Sequence, residues 1–101
     1  MPATVEINGN IARMILSGEF DFSTQENLGS AIDQALSADA IKEIHVDMTN
    51  TTFIDSSVIR ALLRLRQQAV ADGKEMGLWH CRKEILEILV IGGFDLLFVI
   101  H

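Results

Sequence analysis

The chain has one cysteine, Cys81, and one proline, Pro2, among 101 residues. A lone cysteine closes no internal disulfide, and a thiol left reduced suits the cytosol better than secretion. Without further prolines, a Ser-rich tract or an internal repeat, nothing marks a linker, and residues 1–101 read as a single domain. Positive charge is also scarce: eight Lys and Arg face fourteen Asp and Glu, for a net charge of −6. Affinity for a phosphate backbone rests on clustered cations, so nucleic acid is a poor candidate partner. Trp79 and the phenylalanines accordingly read as core and sheet-surface residues rather than a base-stacking platform. Long apolar runs are missing as well. The start, MPATVEINGN, has neither the basic beginning nor the apolar stretch of a signal peptide, and no later run is long enough for a bilayer. A cytoplasmic protein with no direct membrane insertion is expected.

What is present is ample for a core, since 49% of the residues are hydrophobic. Thr4 to Asn8 and Asn10 to Ser17 are β-like runs around Gly9, and Asn8-Gly9-Asn10 is a hairpin signal because Asn and Gly accept positive φ. Ser23 and Glu26 have capping-box spacing, and Leu28, Ala31, Ile32, Ala35 and Leu36 recur at helical intervals, predicting a helix from about Thr24 to Leu36. Ile44, Val46 and Met48 alternate with His45, Asp47 and Thr49, the period of a strand with one wet face. After a polar turn at Thr49 to Thr52, Val58, Leu62, Leu65 and Ala69 form a helical stripe, flanked by Ile59, Leu63 and Val70, that Asp72-Gly73 stops. The opposite face carries Arg60, Arg64 and Gln68.

A strand at Glu75 to Cys81, a helix from about Lys83 to Ile91 closed by Gly92-Gly93, and a last strand from Leu96 to Ile100 complete the pattern. The expectation is an α/β fold: a mixed sheet of about five strands, an N-terminal hairpin followed by β-α-β-α-β-α-β with right-handed crossovers, and helices mainly on one face.

Chemistry-bearing side chains are few. His45, His80, His101 and Cys81 lack zinc-ligand spacing, and the adjacent His80 and Cys81 point to opposite faces of a strand. Cys81 reads as a small buried hydrophobe with no histidine and carboxylate placed to activate it. No metal, cofactor or catalytic residue is assigned, and no enzymatic activity is expected.

One turn stands apart. Phe53-Ile54-Asp55-Ser56-Ser57 leads into the second helix, so Asp55 or a serine is its N-cap and both hydroxyls lie near open backbone N–H groups. Capping is the commonest use of such residues. The same place favours negative charge, and a phosphate of roughly −1.5 to −2 there would leave the fold intact while changing what docks. Ser56, Arg60 and Arg64 are spaced by four and share a helix face, where Arg60 can pair with a phosphate or meet a partner.

Gly18-Glu19-Phe20-Asp21 before the first helix, Phe53-Ile54-Asp55-Ser56-Ser57 before the second, and Gly92-Gly93-Phe94 near the end together resemble the STAS-domain family, specifically bacterial anti-anti-sigma factors (anti-sigma factor antagonists). The resemblance covers nearly the whole chain. It implies that Ser56, the first serine after the aspartate, accepts phosphate, with Ser57 as the alternative. It further implies partner switching. The unphosphorylated domain binds an anti-sigma factor that is also a serine kinase, frees a sigma factor, and is reset by a metal-dependent Ser/Thr phosphatase; ATP belongs to the kinase. Asp21 matches a loop aspartate near the phosphoserine, which places it on the docking surface; a plain turn or cap role is the other reading. With it, Asp55, Ser56, Ser57, Arg60 and Arg64 make up the candidate partner-binding set.

Two features depart from the family pattern. Gly-Leu-Gly after the serines is replaced by Val58-Ile59-Arg60, putting side chains where a partner backbone approaches. A STAS accessory subunit of a transporter complex, or a partner-switch regulator of a non-transcriptional output, is therefore the alternative reading. The chain also stops at His101 straight after its last expected strand. If Leu96 to Ile100 is left uncovered, self-association as a homodimer follows.

Overall fold

The computed structural model describes residues 2–101. Strands β1 (Ala3–Asn8) and β2 (Ile11–Phe20) are followed by helix α1 (Gln25–Leu36), strand β3 (Glu43–Ile54), helix α2 (Ser56–Ala71), strand β4 (Glu75–Trp79) and helix α3 (Lys83–Ile91). Short 3₁₀ turns at Phe22–Thr24 and Asp95–Leu97 precede α1 and follow α3. The sheet has the order β1-β2-β3-β4, antiparallel between β1 and β2 and parallel elsewhere. Gly9, with φ of 62°, is the first of two loop residues between the paired Asn8 and Ile11, the arrangement of a type II′ hairpin.

Period-two patterning decides which face is covered. Ala12, Met14 and Leu16 of β2, Ile44, Val46 and Met48 of β3, and Met76 and Leu78 of β4 all enter one core. They meet Leu28, Ala31 and Ala35 of α1, Leu62, Leu65 and Ala69 of α2, and Ile85 and Leu89 of α3. The residues between them, Arg13, His45 and Asp47 among others, line the opposite face of the sheet.

Among the described residues four strands are present rather than about five. The run Leu96 to Ile100 begins in the 3₁₀ turn, and only Ile100 bridges Leu78. Leu78 N–H donates to Val99 O (2.8 Å) and His101 N–H donates to Leu78 O (2.9 Å). β4 has little edge to offer, because it ends at Trp79 instead of Cys81: His80 takes a φ of 58°, a left-handed conformation that breaks the extended run. Leu96 is accordingly 90% exposed, while Phe98 tucks into the core.

Other boundaries move for equally local reasons. β3 continues through Thr49–Thr52, where a polar turn is expected, because Thr51 is buried with its hydroxyl donating to Leu16 O at 2.7 Å. β2 extends past Ser17 to Phe20 by following β3 across register shifts at Ile15/Ser17 and Gly18/Glu19. Gly18 supplies the positive φ of 88° that such irregularity requires. The capping box lies two residues ahead of Ser23: Asp21 accepts from Ser23 N–H, and its own N–H donates to the Thr24 hydroxyl.

The open face is organised by two ladders. In the first, Glu6, Arg13 and Asp47 run across β1, β2 and β3. Asp47 is only 3% exposed, yet both its oxygens are used. One accepts from Thr49 N–H (2.9 Å) and hydroxyl (2.6 Å), the other from Arg13 Nε (3.0 Å) and Nη2. Burial alone would raise the Asp47 pKa, but these hydrogen bonds and the guanidinium charge outweigh it and hold the carboxyl below its usual range. In the second ladder Trp79 is stacked between His45 (ring centroids 4.5 Å apart) and His101 (4.0 Å). Gly77 makes room for it, since a Cβ there would lie 3.0 Å from the His101 ring and 3.2 Å from Val99 O.

Two expectations follow. A carboxylate with a depressed folded-state pKa stabilises the fold above its unfolded pKa of about 3.9, and that contribution is lost as pH falls through the lower folded value. Urea midpoints of the wild type should therefore drop below about pH 4 more steeply than those of Asp47→Asn; equal slopes would remove Asp47 from the acid response. Gly77→Val should push the His101 ring off Trp79 and destabilise the domain by about 1–3 kcal/mol. The single tryptophan reports this directly, as a changed emission spectrum at full folding. An unchanged spectrum would show that the stack does not depend on the missing side chain.

Candidate functional site

The site lies beyond the carboxyl end of β3, where open α/β sheets commonly carry their functional groups. Asp55 follows Ile54 in extended conformation (φ −102°, ψ 179°) and caps α2, its Oδ1 accepting from Val58 N–H at 3.0 Å. The same oxygen accepts the Ser57 hydroxyl at 2.6 Å. Oδ2 accepts from Phe22 N–H at 3.1 Å, and Asp55 N–H donates to Phe20 O at 3.1 Å. One residue thus fastens the start of α2 to the loop after β2. The Ser57 hydroxyl, aided by the N–H groups of Val58, Ser57 and Phe22, keeps the Asp55 carboxyl below the ordinary carboxylate range against the opposing effect of burial.

The two serines have different circumstances. Ser57 is half-buried; its hydroxyl donates to Asp55 and accepts from Gln25 Nε2 at 3.0 Å, joining α1 to α2. Ser56, the first residue of α2, is exposed, and its hydroxyl makes no hydrogen bond to another described residue. Both conformations follow from the helix start, which turns successive side chains by about 100° and so sends one toward α1 and the other to solvent.

Arg60 and Arg64 are exposed on α2 and, with Phe22, Gln25 and Ser57, line a groove of about 310 Å³. Of the sequence-derived set, Ser57, Arg60 and Arg64 line this groove, Asp55 is bonded to Ser57, and Ser56 opens the same helix; Asp21 needs one qualification. Its carboxylate is engaged by the Ser23 N–H and hydroxyl, so the cap role is the one seen, one residue away from Phe22. Val58 and Ile59 point into the core, so of the residues standing in place of Gly-Leu-Gly only Arg60 alters the outer surface.

Phe22 and Gln25, which line the groove, escape a reading of spacing alone, as does the exposure of Phe53 in the strand that leads to Asp55. Phe22 is 77% exposed and Phe53 43%, conspicuous for aromatics. The adjacency of Phe53 and Ile54 in one strand is the missed signal, because neighbours point to opposite faces and one had to be outside. Gln25 carries no such mark, since its bond to Ser57 spans 32 residues.

The cysteine and the histidines do not line this groove. Cys81 sits 3.8 Å from the Met48 sulfur, and burial pushes its thiol up to about 11, which suppresses the nucleophilic thiolate. A cavity of about 360 Å³ lined by His45, Arg66, Glu75, Trp79 and His101 adjoins the opposite end of β3. No helix among the described residues is long and apolar enough to cross a membrane.

A sequence profile of the STAS domain matches residues 2–101. A STAS-domain containing protein of Pseudomonas aeruginosa (strain UCBPP-PA14) is 33% identical over 85 residues, covering 84% of this chain and 82% of that protein. Among solved structures, the anti-sigma factor antagonist SpoIIAA in its unphosphorylated form superposes with a TM-score of 0.80 at 18% identity, over 98% of this chain and 87% of that one. The phosphorylated form of SpoIIAA, from Bacillus, gives 0.74 at 18% identity, over 98% and 90%. An anti-sigma factor antagonist from Mycobacterium paratuberculosis gives 0.84 at 20% identity, over 98% and 83%. At such identities the structural likeness is one of fold, whereas the profile match and the Pseudomonas relative extend to sequence. The chain belongs to the STAS domain family and has the fold of the anti-sigma factor antagonists.

Proposed function

We propose that this domain is an anti-sigma factor antagonist: a partner-switching module that binds a serine-kinase anti-sigma factor while Ser56 is unphosphorylated, and lets go when Ser56 is phosphorylated. The observation that carries this reading is the asymmetry of the serine pair. Ser56 offers an exposed hydroxyl with no hydrogen-bond partner among the described residues, while Ser57 is held by Asp55 and Gln25.

In the transfer, the kinase supplies ATP and the base. The Ser56 oxygen forms a bond to the γ-phosphorus as the bond to the β,γ-bridging oxygen breaks, ADP departs, and the hydroxyl proton passes to the kinase. The domain contributes position: a nucleophile on the first turn of a capped helix, beside N–H groups that tolerate the new charge. That SpoIIAA has this fold in both unphosphorylated and phosphorylated forms supports a switch that acts through the surface rather than by refolding. A metal-dependent Ser/Thr phosphatase resets the domain by hydrolysing the ester. Burial of Val58 and Ile59 supports the reading too, because the departure from the family pattern is confined on the outside to Arg60.

Phosphosite mass spectrometry on the protein from its native cells tests the proposal. Phosphate is expected on Ser56, absent in Ser56→Ala and retained on Ser56 in Ser57→Ala. The latter variant should be less stable by about 1–2 kcal/mol for its two lost hydrogen bonds. Phosphate on Ser57 would reverse the assignment, and no phosphate under any growth condition would favour an unphosphorylated accessory subunit of a transporter complex.

A further inference from the structure

We propose that a phosphate on Ser56 is clasped within the same domain by Arg60, with Arg64 behind it, so that phosphorylation cancels the positive patch on the docking surface. The inference rests on the reading of Ser56 as the acceptor and adds how the modification changes what the surface presents.

The cations of this acidic chain are unequally occupied. Arg13 is paired with Glu6 and Asp47, Arg82 with Glu84, and Lys74 is buried with Nζ donating to Ala38 O (2.9 Å) and Ile41 O (3.0 Å). Arg60 and Arg64, one turn apart on α2, are exposed, and like Lys42, Arg66 and Lys83 they have no carboxylate within ion-pair distance among the described residues. They share one groove with Phe22, Gln25 and Ser57. An exposed aromatic beside unpaired arginines is the composition of an interaction hot spot, and its sign fits a partner segment bearing carboxylates.

Ser56 and Arg60 are four residues apart on the same helix, the separation at which side chains meet. A guanidinium takes a phosphate through two parallel N–H donors, and Arg64 stands one further turn along. A phosphoserine carries roughly −1.5 to −2 charges, comparable with the pair of arginines, so the clasp leaves the patch near neutral and the guanidinium forks occupied. The carboxylates of the capped turn and of the loop after β2 are already engaged, Asp55 by Phe22, Ser57 and Val58 and Asp21 by Ser23, while Asp33 borders a separate groove with Arg64.

The sign of one titration decides the matter. Phosphoserine is installed at position 56 of the full chain by genetic encoding, so the outcome does not depend on any native kinase, and its second ionisation is followed by ³¹P NMR. The neighbouring Asp21 and Asp55 push that ionisation above its ordinary value of about 6, whereas a clasp pulls it below. A midpoint below 6 is expected, raised by roughly half a unit in Arg60→Ala and further in Arg60→Ala/Arg64→Ala, but unmoved in Lys83→Ala on α3. A midpoint at or above 6 that ignores Arg60 would overturn the clasp, even if Ser56 is phosphorylated in cells. A midpoint that shifts equally in Lys83→Ala would overturn it too, by reducing the effect to overall charge. Absence of Ser56 phosphate in native cells would instead count against the switch itself.

Discussion

Asp55 has two carboxylate oxygens and uses both to join segments far apart in sequence. Oδ1 closes the first turn of α2 and holds the Ser57 hydroxyl, while Oδ2 receives the N–H of Phe22, 33 residues away. The loop after β2 and the start of α2 are thereby one rigid unit at the carboxyl end of the sheet. The groove residues are placed by this node: Phe22 through its own N–H, Ser57 and with it Gln25 through the hydroxyl, and Arg60 and Arg64 through the helix direction that the cap sets. A carboxylate satisfied on both sides is hard to protonate, which is why its pKa is low and why the node persists across the neutral range.

Behind that node the sheet is covered on one side only, and the uncovered side is not simply polar. Asp47 is buried there because Thr49 and Arg13 together supply four donors, and Trp79 is shielded by the histidines on its two faces. Both arrangements let residues that alternate with the core positions remain ordered without a second layer of helices. The helices are then free to gather on the opposite face, and α2, packed by Val58, Leu62, Leu65 and Ala69, presents its arginines to solvent.

Much of this was readable from the residues in order. The three helices, the hairpin at Gly9 and the capped turn at Asp55 rest on short-range rules: apolar spacing, positive φ and N-cap chemistry act within a few residues. What escaped depends on distant partners. Thr51 reads as a turn residue until Leu16 O is placed beside it, and Leu96 to Ile100 reads as a strand until His80 cuts short the edge it would pair with. Likewise the adjacent serines look equivalent in sequence, and the bond to Asp55 together with the approach of Gln25 from α1 separates them. Local composition identifies the turn; tertiary contacts decide which hydroxyl is a strut and which is open.

The left-handed turn at His80 has a consequence for how the molecule behaves in a crowded solution. An edge strand is a template on which another chain can add, and the hazard grows with its length and flatness. By turning the backbone at residue 80, the chain limits β4 to five residues, and the returning segment takes up the N–H and C=O of Leu78 near its middle. Among the described residues little of the β4 edge itself is left for intermolecular sheet growth, although Leu96 and Val99 of the returning segment stay exposed. The fold thus carries, in one left-handed histidine, protection against the permanent kind of association that an open strand edge invites.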